Sequence, residues 1–326
     1  AFWGGQEGTF LLWALLSTTL GLVLMRWKSA LMQPSLFFLN IPVILLTFLG
    51  VVRGPFLRSA QVFTDGAGLN PLLQDYWMTI HPPILFTGFS SFVVPFAIAC
   101  AALWKRDYDG WVKPVLPWVV FSTAVQATGF IMGGVWAYKV LGWGGYWGWD
   151  PVENASLIPW LVSVALLHGL LIQRTTGGLV RTNLALAALC WVTTLAGTYL
   201  TRSGALQDFS VHSFADLGLN TPLKVNLAVA LALPAVLLWR RWAAIGGGSA
   251  RWASLSRESA LWLGLVTVLV LAALVTVGTT APVYTALAGK PASVRPAFYE
   301  AVALPMGIAL VLLMALAPAL RWSRQQ

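Results

Sequence analysis

Charged residues are scarce in this chain. Only 10% of its 326 residues are Asp, Glu, Lys or Arg, whereas 58% are hydrophobic. A water-soluble domain of this length cannot bury so much apolar surface, so a soluble enzyme or binding module is excluded and lipid must surround most of the chain. The net charge of +9 comes from basic residues that fall between long apolar runs. This charge therefore indicates membrane topology and not a nucleic-acid partner.

Cysteine and histidine are also rare. The two cysteines, Cys100 and Cys190, lie far apart inside apolar segments, and the sequence contains no CxxC or CxxCH. A thiol oxidoreductase and a c-type cytochrome are therefore excluded. The chain begins with Ala1 and no signal peptide precedes the first apolar run, so we expect it to be part of a longer product.

Nine apolar runs have about the length that a membrane-spanning helix needs, which is about 20 residues. The fifth run is short, and we expect its helix to begin inside the sequence that precedes it. The predicted fold is therefore all-α, a polytopic bundle of about nine transmembrane helices. The predicted spans are residues 9–25, 35–52, 84–104, 115–135, 159–173, 181–200, 223–239, 259–280 and 301–320.

The loops between these runs alternate between the two sides of the membrane. Of the 20 Lys and Arg residues, thirteen fall on one side and seven on the other. The richer side is therefore predicted to be cytoplasmic, and the unusual residues then face outward. We predict a core bundle over 1–239 with a tryptophan-rich loop at 136–158, a cytoplasmic loop at 240–258, and C-terminal helices over 259–326.

The most informative outward stretch is Trp143-Gly-Gly-Tyr-Trp-Gly-Trp-Asp150 and the residues that follow it. Tryptophan is common at membrane interfaces, but three Trp and one Tyr within seven residues, interleaved with glycine and followed by acids, indicate more. Glycine lets the backbone pass close to a flat partner, and the rings form a rigid apolar platform. Heme, flat and apolar with ionic edges, is the leading candidate ligand. The predicted binding residues are Trp143, Gly144, Gly145, Tyr146, Trp147, Trp149, Asp150 and Glu153.

The end of this stretch also has the sequence of a helix start. Asp150 stands at the N-cap position, Pro151 at the first helical position and Glu153 at the third. We therefore predict that Asp150 caps the fifth span, whatever else it does.

Two of the three histidines lie near the tryptophan-rich loop in this topology. His81 opens a His-Pro-Pro sequence just before the third span, and His212 lies in the outward loop 201–222. Two imidazoles on opposite faces of a porphyrin would ligate its iron. The alternative is that each is an ordinary loop histidine with a local hydrogen bond.

Two further outward features bear on this site. Residues 69–77 are amphipathic and long enough for a helix at the membrane interface. Arg53, Arg58 and Arg202 carry guanidinium groups that match heme propionates, although snorkelling to lipid phosphates is at least as good an interpretation of each. Arg202 is the strongest candidate for heme binding, because it directly follows the sixth span and lies near His212.

His168 is different, because it lies well inside the fifth predicted span. An ionisable residue at that depth is costly and faces a partner within the bundle. It is a candidate ligand of a second, buried heme, or it bonds a neighbouring helix through Thr193, Thr194 or Tyr199. The spans contain no second histidine that could complete the ligation.

These residues resemble the heme-handling membrane proteins with a tryptophan-rich domain, and most of all the cytochrome c maturation heme lyases of the CcmF family. The sequences that carry the resemblance are residues 3–8, 69–75, 81–83 and, above all, 143–156. The ending Asp-Pro-Val-Glu-Asn-Ala-Ser at 150–156 separates the chain from the heme exporter CcmC and the synthase component CcsA. The resemblance covers essentially the whole chain.

The resemblance implies a bacterial inner-membrane protein whose tryptophan-rich loop faces the periplasm. Such a protein receives heme from the chaperone CcmE and joins its vinyl groups to the CxxCH thiols of apocytochrome c, together with CcmH-type thiol partners. The resemblance also implies that His81 and His212 flank the transferred heme, and that His168 is one of two ligands of a resident heme b. In that family further spans precede Ala1, and the second buried histidine lies beyond Gln326.

Other functions stay open from the residues alone. A heme exporter or relay would bind heme without attaching it, and a transporter would use the aromatic loop only as an outer gate. Quinol redox transport is a weaker alternative, because one buried ligand is too few. The absence of cysteine from the outward loops fits the lyase function, because the reacting thiols then belong to the substrate.

Overall fold

The computed structural model describes residues 5–56, 62, 64–66, 68–142, 144–210, 212–214, 216–246 and 255–323, and this part of the chain is helical with no β-strand. Two short 3-10 turns accompany the α-helices, at Pro71–Leu73 and Ala317–Ala319. The α-helices are α1 (Gln6–Leu24), α2 (Met32–Val52), α3 (Tyr76–Ser91), α4 (Val93–Lys105), α5 (Val112–Val140), α6 (Pro151–Thr176), α7 (Val180–Arg202), α8 (Asn220–Arg241), α9 (Arg257–Thr279), α10 (Ala281–Ala286) and α11 (Pro296–Leu316).

These helices form nine segments, within the described residues, that are long and apolar enough to cross a membrane. Helices α3 and α4 make one segment, and so do α9 and α10. Each of the nine overlaps one of the predicted spans. The predicted all-α fold is confirmed, and the fifth span begins at Pro151, inside the sequence that precedes its apolar run.

The third span begins earlier than its apolar run at 84–104. Helix α3 starts at Tyr76, because Asp75 caps it by accepting the backbone N–H of Trp77 at 2.8 Å. His81 therefore lies in the second turn of α3, and its predicted place in a loop before the span is wrong. A helix holds this histidine more rigidly than a loop would.

The predicted interfacial helix over 69–77 is also wrong. The segment forms the 3-10 turn at Pro71–Leu73 and, from Tyr76, the start of α3. In the turn, the side chain of Asn70 accepts the backbone N–H of Leu72 at 3.0 Å. Asn70 caps this turn and Asp75 caps the next helix, so two starts within a few residues leave no room for a continuous helix.

One end of the bundle carries all the predicted outward residues that the structure describes. It is the end at which α3 and α6 begin and α5 and α7 end, and it is called the site end below. Helices α3 and α5 cross closely here, because a Cβ at Gly129 would lie 2.7 Å from the Cα of Leu85. Small residues at such crossings allow helices in a membrane to pack backbone to backbone.

The helices after the predicted loop 240–258 belong to the same bundle. The loop runs from the end of α8 to the start of α9, and residues 247–254 lie outside the described part of the chain. Helix α9 packs along α6, and α11 packs along α9. The C-terminal helices therefore support the helix that starts in the tryptophan-rich segment.

Candidate functional site

A cavity of about 560 Å³ lies at the site end, between α1, α3, α5, α6, α7 and the loop after α7. Cavities that hold cofactors and small molecules in proteins have volumes of about 300–1,000 Å³. Most of the lining is apolar, and His81, His212 and Arg202 are part of it. The sequence predicts that these three residues serve one site, and the structure brings them together in the lining of one cavity.

Trp136 contacts both of these histidines. Its ring lies 5.8 Å from that of His81 with the planes 29° apart, and 5.6 Å from that of His212 at 63°. Its Nε1 donates to the backbone carbonyl of Leu72 at 3.1 Å, which ties the ring to the 3-10 turn. Trp136 is therefore the aromatic side chain that links the two histidines in the lining of the cavity.

Sequence reasoning did not find this role for Trp136. The residue falls in the predicted loop 136–158 but seven positions before Trp143, where a single tryptophan is typical of any membrane interface. The structure places it in α5, within the last two turns. The only signal in the sequence was its position at the end of a span on the outward side.

Both cavity histidines use Nδ1 as the donor of a hydrogen bond. The Nδ1 of His81 lies 2.9 Å from the carbonyl oxygen of Trp77, and that of His212 lies 3.1 Å from Oδ2 of Asp150. These oxygens only accept, so Nδ1 carries the proton and the neutral ring has its lone pair on Nε2. This is the state in which a histidine coordinates a metal through Nε2 while a neighbouring group orients the ring.

Asp150 both caps α6 and holds His212. Its carboxylate accepts the backbone N–H groups of Val152 and Glu153 at 2.9 and 3.4 Å, while the Glu153 carboxylate accepts that of Asp150 at 3.2 Å. The predicted cap is confirmed. The same Oδ2 atom accepts from Nδ1 of His212 and from Oγ of Ser210 at 2.7 Å. The start of α6 therefore fixes the loop that carries His212.

Glu153 stabilises the start of α6 and the segment before it. Besides closing the capping box, its Oε2 accepts the backbone N–H of Gly148 at 2.9 Å. These two bonds fold the end of the tryptophan-rich segment over the start of α6. Its predicted contact with a ligand is not part of this geometry and stays a prediction.

The rings of Tyr146, Trp147 and Trp149, which the structure describes, pack against other helices and are not among the residues that line the cavity. The motif reaches the cavity instead through Val152, Ala155 and Ser156, in the first turns of α6. The ring pairs are Trp147 with Phe130 at 6.0 Å, Trp149 with Tyr299 at 5.2 Å, and Tyr146 with Tyr138 at 4.5 Å. Direct contact of these rings with a porphyrin stays a prediction.

The glycines of the segment lie beside this packed region. Gly144 has a φ of 71°, a left-handed conformation that glycine adopts without steric cost. Gly145 follows it in the described chain, and neither lines the cavity. Trp143 lies outside the described residues. The predicted contacts of these three residues with heme also stay predictions.

Arg202 is a buried cation in the cavity wall, 5% exposed. Its Nη1 donates to the carbonyl of Gln6 at 3.2 Å and its Nη2 to Oγ1 of Thr9 at 2.6 Å. The rings of Phe10 and Phe214 lie 4.6 and 5.1 Å from its Cζ. Within the described residues no carboxylate forms an ion pair with this guanidinium. The carboxylate of Glu7 attracts this charge from beyond ion-pair distance. A buried positive charge without a directly paired carboxylate is costly, so the cavity favours a negatively charged ligand group.

The other two arginines do not join this site. Arg53 follows α2 and does not line the cavity. Arg58 lies outside the described residues. Arg202 is the last residue of α7 and not the first after it, which explains its burial.

His168 lies apart from the cavity, on α6 within the membrane-spanning region. Its Nδ1 donates to the carbonyl of Val164 on the same helix at 2.7 Å. The alternative hydrogen bond from His168 to Thr193, Thr194 or Tyr199 is absent from the described residues, and Thr193 and Thr194 donate to carbonyls of their own helix. On α9, a Cβ at Gly264 would lie 3.8 Å from Nε2 of His168. The imidazole edge thus faces a helix that has no side chain at that point.

The fold and the cavity define a helical, multi-span membrane protein with a cavity lined by two histidines at one end of the bundle. The sequence model of the cytochrome C assembly protein family matches residues 3–206. The chain belongs to this family, and the likeness drawn from its sequence is thereby confirmed.

Relatives and a solved structure agree with this assignment. The chain is 35% identical over 99% of its length to the cytochrome c-type biogenesis protein CcmF of Pseudomonas fluorescens, of which it covers 50%. It is 34% identical over its full length to the probable cytochrome c-type biogenesis protein NrfE of Escherichia coli, of which it covers 60%. The solved structure of a cytochrome c heme lyase CcmF matches 99% of the chain with a TM-score of 0.76 and 31% identity, and 48% of that structure is covered. The chain thus spans about half the length of these relatives.

Proposed function

We propose that this protein holds heme in the cavity at the site end so that the heme can be attached covalently to apocytochrome c. One observation carries the proposal. His81 on α3 and His212 in the loop after α7 line the same cavity and contact the same tryptophan, and each has its Nδ1 bonded to an oxygen. Two histidines oriented in this way suit the two axial positions of a heme iron.

The residues of the cavity fit heme in three respects. The volume of about 560 Å³ lies in the range of cofactor sites, about 300–1,000 Å³. The mainly apolar lining matches a porphyrin ring. Arg202 supplies a buried guanidinium that forms no direct ion pair within the described chain, and a heme propionate would pair with it.

In this proposal the protein positions heme, which is a substrate, and contributes no nucleophile. Each thiol of the apocytochrome CxxCH adds across a vinyl double bond of heme. A carbon–sulfur bond forms, the thiol proton goes to the other vinyl carbon, and no oxidant is consumed. His81 and His212 hold the iron until the histidine of the CxxCH sequence replaces one of them. Holding the two reactants in place supplies the rate enhancement.

We further propose that His168 would help to hold a resident heme b, which would help to keep the transferred heme reduced. The Nδ1 bond to Val164 leaves the lone pair of the neutral ring on Nε2. Gly264 leaves room beside that edge. The other two histidines of the chain belong to the cavity at the site end, so this chain contributes a single imidazole to such a heme.

The excess of basic residues in the loops of the opposite end supports an inner-membrane orientation with the site end in the periplasm. That orientation would expose the cavity to the heme chaperone CcmE, to a CcmH-type thiol partner and to apocytochrome c. These partners are part of the proposal, and lipid surrounds the spans.

The test uses His81→Ala and His212→Ala in cells, with covalent cytochrome c as the measurement. We expect each variant to lower the yield at least tenfold, because one axial ligand is lost. His168→Ala is the matched control for the site, because heme titrated into the purified variant should still give the absorbance band of the cavity heme. Normal cytochrome c yields from both cavity variants would contradict the ligand assignment.

A second measurement separates attachment from transport. The purified protein is given reduced heme and apocytochrome c, and thioether formation is followed by heme staining of the denatured product. Heme binding without thioether formation would indicate a heme relay, and the absence of any heme absorbance band would indicate a transporter with an aromatic gate.

A further inference from the structure

Helix α11 packs along α9, and one of its side chains is fully enclosed by the described bundle. Tyr299 is 2% exposed and is the only residue of this helix that is buried. Its ring lies against Gly278 on α9, where a Cβ would come within 2.8 Å of the ring carbon Cε1 and of the hydroxyl oxygen. The absence of a side chain at Gly278 therefore makes the notch in which Tyr299 lies.

From this notch the ring of Tyr299 reaches the tryptophan-rich segment. It stacks on the ring of Trp149 with the centroids 5.2 Å apart and the planes 6° apart. Aromatic pairs in offset stacks add to the stability of a contact beyond the area that they bury. The stack thus joins a C-terminal helix to the segment that precedes α6.

Trp149 needs such support, because its backbone is strained. Its φ is 54°, in the left-handed region that a bulky side chain rarely adopts. The side-chain amide of Asn154 donates to the Trp149 carbonyl at 3.1 Å and holds the backbone side of the residue. The stack on Tyr299 holds the indole ring of Trp149. Together the two contacts stabilise the strained backbone conformation of Trp149.

The conformation of Trp149 decides where Asp150 stands. Asp150 follows it directly and carries the carboxylate that binds Nδ1 of His212 and Oγ of Ser210. A rotation of the backbone at Trp149 would move this carboxylate, and with it the imidazole of His212.

We infer that Tyr299 is a positioning residue of the heme site: it holds Trp149 in its left-handed conformation and, through Asp150, sets the position of His212. The inference deepens the proposed function, because it names a residue outside the cavity that governs one of the two iron ligands. The part of the inference that concerns the position of the His212 imidazole can be tested without heme.

The first experiment measures heme affinity of the purified chain by titration with heme. Tyr299→Leu removes the flat ring and should weaken binding about two- to tenfold, the equivalent of one aromatic stack. Tyr299→Phe keeps the ring and should bind within about twofold of the parent chain. Tyr284→Leu, at a tyrosine that is 47% exposed, is the matched control and should also bind normally. Parent-like affinity of Tyr299→Leu, or equal losses in the Leu and Phe variants, would overturn the inference.

The second experiment needs no heme. Because the chain has three histidines, labelling histidine with ¹⁵N gives three imidazole environments to follow by NMR. Tyr299→Leu should shift the signal of His212 and leave that of His168 in place. Unchanged His212 signals, or equal shifts of all three histidines, would sink the idea. If the parent chain binds no heme at all, the proposed function fails, while this measurement still decides the role of Tyr299.

A double-mutant comparison tests the path through Asp150. When Asp150→Asn and Tyr299→Leu act on His212 through one route, the double variant should bind heme no more than about twofold more weakly than the worse single variant. Losses that multiply would show two independent routes and contradict the inference. Should Tyr299→Leu fail to fold, Gly278→Ala replaces it in all three measurements, because its methyl group would displace the same ring.

Discussion

The cavity at the site end and the surroundings of His168 differ in what this chain supplies for a heme. The lining of the cavity brings together two histidines, a tryptophan that contacts both and a buried arginine. His168 has a backbone carbonyl of its own helix and a glycine on the next one. Both places contain a histidine with Nδ1 as donor, so the hydrogen bond alone does not distinguish them.

The two sites differ in the number of helices and loops that contribute residues to them. The cavity histidines come from α3 and from the loop after α7, and Trp136 comes from α5, so their geometry depends on tertiary packing. The geometry of His168 depends mostly on one helix. The cavity should therefore respond to changes in several elements, while His168 should respond to few.

Replacing Trp136 with Ala should have the largest effect on the cavity. Trp136 is 6% exposed, and the loss of a buried tryptophan side chain costs about 3–5 kcal/mol. The rings of His81 and His212 would lose their common neighbour, so heme binding in the cavity should be lost. Trp136→Phe keeps a ring and should retain most of it. Heme titration and thermal unfolding test both variants. If Trp136→Ala reduced a heme signal that depends on His168 as much as it reduced the signal of the cavity heme, the proposed difference between the two sites would be contradicted.

Asp150→Asn separates the two roles of this residue. Asn caps helices about as well as Asp, so the unfolding temperature should change little. The bond to Nδ1 of His212 loses its charge, and changes to such orienting groups lower metal affinity about 10- to 100-fold. Heme titration beside thermal unfolding measures the two effects. A fall in unfolding temperature without a fall in affinity would mean that Asp150 serves only as a cap.

Two glycine substitutions compare the two places directly. A methyl group at Gly133 on α5 would lie 3.3 Å from Cδ2 and 3.5 Å from Nε2 of His81, which is tighter than ordinary contact. Gly133→Ala should weaken cavity heme binding by about fivefold, the equivalent of about 1 kcal/mol of overpacking. At Gly264 the methyl would lie 3.7 Å or more from His168, so Gly264→Ala should be tolerated. Absorbance titrations of both variants give the result, and a larger effect at Gly264 would reverse the comparison.

Protonation of Asp75 at the site end should produce the smallest effect of these changes. Lys139 binds the Asp75 carboxylate at 3.0 Å and lowers the pKa of Asp75. A lowered pKa in the folded chain means that the contribution to stability is present above the unfolded pKa and is lost as the pH falls through the folded one. The contribution is small, because the Lys139 side chain is 49% exposed and water screens the pair.

Asp75→Asn provides the measurement, because it keeps the cap of α3 but removes the titration. Thermal unfolding from about pH 6 to about pH 3 should show a slightly steeper loss for the parent chain than for the variant. Identical pH profiles would mean that the pair contributes nothing to the helix that carries His81.

The sequence by itself determined the fold class, the nine spans, the cap at Asp150 and the identity of the cavity histidines. These features are local or compositional. The length of an apolar run sets a span, and an acid followed by proline and glutamate sets a helix start within four residues. A chain with three histidines also leaves few candidates for iron ligation.

Only the tertiary structure decided which aromatic rings line the cavity and which pack outside it and support the residues of its lining. Trp136 joins the wall through the carbonyl of Leu72, 64 residues earlier, and Arg202 bonds Gln6, 196 residues earlier. The stack of Trp149 on Tyr299 likewise joins distant segments. No local pattern encodes such pairs, because they depend on how helices cross and where a glycine leaves room for a neighbour.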